Sequence, residues 1–372
     1  MRVLQIGKFY PIVGGIEKVM YDLVVGLSQR DDVDCDMLCA SIDKQSNVIT
    51  IGKNAEIICT STWKKVSATM LSPAMIIKLR KIKNNYDIIH IHHPDPMAAL
   101  ALWMSGYKGK VVLHWHSDIL KQKMTLKLYA PLQRWLIERA DVIIGTSPVY
   151  LQDSPFLQSA GLNKTCIPIG IDPIVPDTES MADIRRRYAG KKLVFSLGRL
   201  VEYKGFEYLI KAAKYLPDEY LILIGGSGPL QEKLEGLIKT CRLYDKVRLL
   251  GRVSDEDLSA YFGICDLYVM SSIWKTEAFG IVQIEAMSCG KPVVATKIDG
   301  SGVAWVNQDG VSGINVETEN AEAIAKAIVN ILSDEKRYRK FSLAAKERFE
   351  TLFRKEQMIE KCVELYNNVI TS

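Results

Sequence analysis

The sequence predicts an α/β protein built of two Rossmann-like domains facing across a cleft. Three observations carry this. The chain has 372 residues, too many for one ordinary core and about right for two domains. Short continuous Val/Ile/Leu runs alternate with helical stretches, the pattern of strands covered on both faces in a parallel sheet. The alternation stops once, across residues 171–188, and then restarts.

In order, VLQIG (3–7) reads as the first strand and leads through a glycine turn to a helix from about Ile16 to Ser28. DIIHIH (87–92), a helix near 97–105, KVVLHWH (110–116), a helix near 120–139, DVIIGTS (141–147) and KTCIPIG (164–170) follow. IDPIVPDTESMAD then brings four acidic residues and two prolines without a sustained period, so 171–188 reads as a linker. The series resumes with KLVFSLGR (192–199), a helix at 205–215, YLILIGG (220–226) and a helix at 229–243. VRLLGRV (247–253), a helix at 254–263, DLYVMSS (266–272), a helix at 279–288 and PVVATKI (292–298) complete it. From about 319 the chain is helical and amphipathic. The expected domains are 1–170 and 189–350, with a C-terminal helix, 351–372, long enough to pack back on the first.

Composition, 48% apolar and 24% charged, is that of a soluble globular protein and argues against disorder. MRVLQIGKFYPIVGG is interrupted by Gln5 and Lys8 and does not read as a signal peptide. No run reaches the roughly 18–20 apolar residues of a membrane span. The eight cysteines form no C-x-x-C pair and mostly sit in apolar runs, so reduced thiols of a cytoplasmic protein are expected. Net charge is +5 and uneven: residues 1–170 hold 20 Lys+Arg against 14 Asp+Glu, the remainder 28 against 29. A basic first half points to an anionic partner, membrane headgroups or nucleic acid.

In open α/β sheets ligands gather at the carboxyl ends of strands. After the first strand, PIVGGIEK (11–18) offers adjacent Gly14 and Gly15 and then a helix N-terminus, a suitable seat for a phosphate. All five histidines fall between 90 and 116. No Cys or Glu stands at zinc-ligand spacing beside them, and strand alternation separates some of the rings, so no metal site is expected. His90 and His114 read as core residues. His116, followed by Ser117 and Asp118, falls just past a strand end and is the best placed to touch a substrate. In the second half, Arg199 at a strand end and Lys204 five residues later suit a pyrophosphate. IGGSGPL (224–230) follows the wrong strand for a dinucleotide fingerprint and lacks its third glycine, a poor case for an NAD-dependent dehydrogenase. TEAFGIVQIEAMSCGKPVVAT (276–296) sets Glu277 before an apolar run and Glu285 inside it. Buried carboxylates need partners, and paired ribose or sugar hydroxyls would serve.

Glu277 and Glu285, with seven residues between them, resemble the E-x7-E signature of retaining family 4 glycosyltransferases of the GT-B fold. GRLVEYKG, GGIEKV and HWHSD are similar to that family's own versions, and the resemblance spans about residues 2–350. It implies an N-terminal acceptor-binding and a C-terminal nucleotide-sugar-binding domain. It also implies that Glu285 holds the ribose of a nucleotide-sugar donor and that Glu277 contacts the donor sugar. Arg199 and Lys204 would neutralise the diphosphate, and Gly14 and Gly15 would close on it. His116 would meet the hydroxymethyl end of the sugar; Phe279, Gly280 and Ile281 would supply helix amides. Asp118 carries over as an acceptor contact.

The expected reaction is hexosyl transfer with retention, from GDP-mannose or a UDP-sugar to a glycan or lipid-linked acceptor, in bacterial O-antigen, capsule or other surface polysaccharide synthesis. No cofactor or metal is expected, since fixed cations and amides suffice for the leaving group. The DxD strings at Asp32–Asp34, Asp34–Asp36 and Asp255–Asp257 fall in an early turn or strand and on a surface helix. The 120–140 helix carries Lys121, Lys123, Lys127, Arg134 and Arg139 beside Trp135, which suits peripheral contact with an anionic bilayer on the cytoplasmic face. Nucleic acid is not an expected partner once the resemblance is weighed. A nucleotide-sugar epimerase or a phosphorylase of the same fold, and a non-catalytic sugar-binding protein, are the rivals.

Overall fold

The computed structural model describes residues 1–12, 14–66, 69–119, 123–159 and 161–372. They divide into two compact units, Met1–Gly170 with Lys355–Ser372, and Ile171–Arg354.

The first unit is an eight-stranded sheet. Its strands are β1 (Arg2–Tyr10), β2 (Asp34–Ser41), β3 (Asn47–Ile51) and β4 (Ala55–Thr60), then, after the small separate hairpin β5 (Lys64–Val66) and β6 (Thr69–Leu71), β7 (Ile88–His93), β8 (Lys110–Trp115), β9 (Val142–Gly145) and β10 (Lys164–Cys166). The spatial order is β10-β9-β8-β7-β1-β2-β4-β3, parallel except where β3 meets β4. The elements from β2 to β6 lie where the sequence pattern singles out no strand. β3 is largely exposed and β5 and β6 are three residues each, too short to show a period. Helices α1 (Gly15–Leu27), α2 (Pro73–Ile82), α3 (Pro96–Ser105), α4 (Lys123–Arg139) and α5 (Pro148–Asp153) connect them. Proline at the first turn and a Ser or Asp cap start α2, α3 and α5, which satisfies amides that a bare helix end would leave unpaired. Leu120, Lys121 and Gln122, read as the start of α4, lie outside the described residues.

The second unit holds β11 (Lys192–Leu197), β12 (Tyr220–Gly225), β13 (Val247–Gly251), β14 (Leu267–Met270), β15 (Val293–Lys297) and β16 (Gly313–Glu317), all parallel, in the order β13-β12-β11-β14-β15-β16. Its helices are α6 (Thr178–Arg187), α7 (Phe206–Ala212), α8 (Gln231–Thr240), α9 (Asp255–Ile264), α10 (Ile281–Ser288), α11 (Val303–Val306), α12 (Ala321–Leu332) and α13 (Glu335–Leu352). The 171–188 stretch is therefore not a bare linker. Asp177 caps α6 by accepting from Ser180 N at 2.7 Å, and Ile184 is buried. The prolines only precede the helix, where their missing N–H groups are harmless.

Helix α14 (Lys355–Thr371) belongs to the first unit and packs on α1. It buries Met358, Cys362, Tyr366 and Val369. Beneath it, the register pairs Gln5 with His90 and His92 with His114, so these side chains share one face of the sheet. His116, two residues on from His114, joins them. His93 points the other way and stacks on Trp115 with ring centroids 3.6 Å apart. The alternation thus splits the five rings four to one.

All five histidines are buried, and burial first, then mutual repulsion among most of them, pulls their pKa values down; His93 and His114 fall to about 3. A histidine kept neutral in the fold but free to protonate when unfolded stabilises the protein fully above pH 6.5. That contribution is lost as pH falls from 6.5 toward 3. For His114 the loss is about 2 kcal/mol at pH 5. Thermal melts should therefore drop steeply between pH 7 and pH 5, and His114→Phe should flatten the slope. Equal melting temperatures at pH 5 and pH 8 would contradict a buried, neutral cluster.

Candidate active site

In the second unit the strand order reverses between β11 and β14, the point where an open parallel sheet leaves a crevice at its carboxyl edge. The segments leaving these two strands carry the charges. After β11 the chain passes Arg199, which is exposed, and makes one tight turn over Glu202–Lys204. Gly205 closes that turn at φ +62°, and a Cβ there would stand 2.1 Å from the Ser271 carbonyl oxygen. Only glycine lets the turn press against the end of β14. Ser271 Oγ then donates to the Lys204 carbonyl at 2.9 Å.

So held, Lys204 Nζ donates to Glu277 Oε2 at 2.5 Å, each side chain 12% exposed. Ser272 Oγ donates to the same oxygen at 3.2 Å, and Ser301 Oγ donates to the Glu277 carbonyl. Burial pulls the Lys204 ammonium down in pKa, but Glu277, with Tyr203 and Glu285 behind it, outweighs burial and the net shift is upward. Lys204 is a fixed positive charge in a largely water-free place.

Helix α10 begins at Ile281 rather than at 279, because Gly280 stands at φ +79°. A Cβ on Gly280 would meet Gln283 Nε2 at 2.6 Å and Met270 Sδ at 2.7 Å. No side chain caps this end; Gln283 N donates to the Gly280 carbonyl at 2.9 Å, and a helix N-terminus of this kind favours an anion. The Phe279 ring is buried and meets Phe353 edge-on at 5.9 Å, so its side chain anchors the loop. Glu285 is half-buried, one turn into α10.

In the first unit the order reverses between β1 and β7. Gly14 and Gly15 are exposed at the start of α1; Val13 lies outside the described residues. A Cβ at Gly14 would come 2.5 Å from Glu17 Oε2, so that carboxylate stands beside the loop expected to meet a phosphate. His116 lies one residue past β8 and is 5% exposed. Its Nε2 is 2.8 Å from His92 Nδ1. Asp118, expected to touch an acceptor, is turned inward instead. It is 4% exposed, and its Oδ1 accepts from Trp115 Nε1 and Ser154 Oγ, both at 2.8 Å, because the loop after β8 needs an acceptor for these two buried donors.

The DxD acids have structural work. Asp36 accepts from Tyr86 Oη at 2.7 Å and from Glu56 N at 2.8 Å, and Asp255 and Asp257 sit in the first turn of α9. His90, His92 and His114 each bring a ring nitrogen within 4.8 Å of the others, yet both nitrogens of His92 are engaged in hydrogen bonds. Sequence reasoning missed Ser272 and Ser301, which hold Glu277, and Gln5, His92 and Tyr366, which line up behind His116. Strand parity could have found Gln5 and His92; nothing in the sequence signals Tyr366.

Comparison with known proteins shows the family. Residues 13–173 match the model described as Glycosyltransferase Family 4, and residues 177–348 match Glycosyl transferases group 1. The chain is 30% identical to the O-antigen chain mannosyltransferase C of Escherichia coli over 378 residues, covering 100% of both. It is 29% identical to the D-rhamnosyltransferase WbpZ of Pseudomonas aeruginosa, over 95% of this chain and 92% of the relative. Among solved structures it resembles sucrose-phosphate synthase from Thermosynechococcus elongatus, with TM-score 0.80, 22% identity and coverage of 100% and 99%. It also resembles Anabaena HepE in complex with UDP, with TM-score 0.78, 21% identity and coverage of 99% and 100%. With two Rossmann-like units, complementary matches along both and a full-length relative at this identity, the chain belongs to the group 1, family 4 glycosyltransferases of the GT-B fold.

Proposed function

We propose that this glycosyltransferase moves a hexosyl group from a nucleoside-diphosphate sugar to a glycan or lipid-linked acceptor, with retention and without a metal ion. The observation that carries the reading is the largely buried Lys204–Glu277 pair, with exposed Arg199 five residues before Lys204, where the second sheet reverses its order. The full-length likeness to an O-antigen mannosyltransferase favours GDP-mannose as donor and surface-polysaccharide synthesis as the setting. A structural neighbour crystallised with UDP keeps a UDP-sugar as the second reading.

Breaking the anomeric C–O bond leaves an oxocarbenium-like sugar and a diphosphate with added negative charge. Lys204, Arg199 and the amides opening α10 would meet that charge without reorganising, which is where a site gains most over water. Glu277, already beside Lys204, would stand at the sugar and Glu285 at the ribose hydroxyls. From the first unit, the family resemblance offers the Gly14–Gly15 turn for the diphosphate and His116 for a sugar hydroxyl. With three positive elements on the leaving group, no divalent ion is needed there.

The acceptor side is read from α4, where Lys127, Arg134 and Leu128 are exposed, Leu128 at 84%. A basic face with a protruding leucine suits the surface of an anionic bilayer that presents a lipid-linked acceptor. Trp135 is only partly exposed and contributes to packing as well. Among the described residues no helix is long and apolar enough to cross a membrane.

Three outcomes are expected. Lys204→Ala and Glu277→Ala, assayed in EDTA where the parent protein keeps its activity, should each lower kcat by about 10²–10³-fold while retaining the parent circular dichroism spectrum. Near-normal transfer by either variant would remove the site assignment, and loss of parent activity in EDTA restored by Mg²⁺ would remove the metal-free mechanism. In melts with GDP, UDP, ADP and CMP, GDP should stabilise most, by about 2.7 kcal/mol at 100 times its Kd. A larger shift with UDP would move the donor to a UDP-sugar. Flotation with vesicles containing anionic lipid should carry the protein upward, and Lys127→Glu with Arg134→Glu should abolish this; equal flotation with neutral vesicles would refute the electrostatic contact.

A further inference from the structure

Gln5 interrupts the first apolar strand, and the transfer reaction gives it no role. In the structure it is the centre of a continuous hydrogen-bonded line. His116 Nε2 lies 2.8 Å from His92 Nδ1, and His92 Nε2 lies 2.6 Å from Gln5 Oε1. Gln5 Nε2 donates to Tyr366 Oη at 3.1 Å, and Tyr366 Oη lies 2.7 Å from His90 Nδ1. Gln5, His90, His92 and Tyr366 are 0% exposed and His116 is 5% exposed.

Each proton in this line can be assigned. A carboxamide oxygen only accepts, so the proton between Gln5 and His92 sits on His92 Nε2. His92 is neutral, so its Nδ1 carries a lone pair, and His116 Nε2–H must donate to it. At the other end Gln5 Nε2–H takes a lone pair of the Tyr366 oxygen, and the Tyr366 hydroxyl proton goes to His90 Nδ1. No donor faces a donor. His116 is left with a bare Nδ1, which has no hydrogen-bond partner among the described residues. An unpaired buried acceptor costs about 1–3 kcal/mol, and a ligand hydroxyl that donates to it removes that cost.

We propose that Gln5, His92 and Tyr366 are positioning residues that lock His116 in its Nε2–H tautomer, so that His116 recognises a sugar hydroxyl by accepting its proton through Nδ1. The amide of Gln5 sets the direction of the line, its Nε2 donating to Tyr366, which α14 brings in and which passes its own proton on to His90. The proposal rests on the reading that His116 faces the donor sugar. A sugar whose hydroxyl at this point is replaced by hydrogen leaves Nδ1 unpaired, and the site then selects against it.

The test begins on the whole protein without ligand, with 15N-labelled histidine and long-range 1H–15N correlation spectra. His116 and His92, assigned by His116→Gln and His92→Gln, should both show a protonated Nε2 and an unprotonated Nδ1. A protonated Nδ1 on His116, or a charged ring, overturns the proposal whether or not the protein transfers sugar. The second step uses Tyr366→Phe and Gln5→Met with the parent's best donor. Each should populate the other His116 tautomer and lower kcat about 3–30-fold with KM for the acceptor unchanged. Unchanged tautomer and kcat, even with a lower melting temperature, would make the line merely structural and overturn the positioning role. If the parent transfers no sugar from any nucleotide donor while the tautomer is as stated, the reading of His116 as a donor-sugar contact fails and takes the recognition step with it, leaving only the lock itself supported.

Discussion

An ammonium and a carboxylate in contact, almost shielded from water, set the terms for the second unit. Such a pair gains little net stability, because desolvating both ions offsets most of their attraction. Its worth lies in what surrounds it. Ser272 and Ser301 satisfy the carboxylate and its backbone, Ser271 holds the turn that carries the lysine, and Gly205 permits that turn to touch β14. Gly205, Ser271 and Ser272 lie on the segments leaving the neighbouring strands β11 and β14, and Ser301 is added from the segment after β15. The reversal of strand order is thus translated into a charge whose position does not depend on a ligand being there.

The first unit meets the same topological opportunity with opposite chemistry. Where β1 and β7 part, it places neutral imidazoles, an amide and a phenol, all buried. Charge in one unit and neutral, directional hydrogen bonding in the other would suit the two different tasks proposed for them. A diphosphate is recognised by field strength, which a lysine supplies at any orientation. A sugar hydroxyl is recognised by which partner holds the proton, which only a network with a fixed direction can decide.

Much of this was legible in the sequence. The continuous apolar runs of β11, β12 and β15 announce a parallel sheet, and the sequence singles out Lys204 and Glu277, which the structure brings into contact. The unread parts share a physical cause: they depend on contacts remote in sequence. Gly280 delays α10 by two residues because a Met270 sulfur and a Gln283 amide fill the space a side chain would take. The prolines and acids of 171–188 look like a linker locally, yet Ile184 finds a buried place and α6 forms. Asp118 reads as a surface carboxylate until Trp115 and Ser154 are seen to donate to it. The histidine line needs Tyr366, and no local pattern connects residue 366 with residue 5.

Helix α14 has a bearing on biogenesis. The first unit consists of two stretches of chain with the whole second unit between them. As the polypeptide leaves the ribosome, the sheet face bearing Gln5 and the four histidines stays uncovered until residue 355 and those after it emerge. The second unit, contiguous from 171 to 354, has all its parts earlier. Completion therefore runs against the direction of synthesis: of these two units the one begun first is finished last, and its hydrogen-bonded line closes only when α14 arrives.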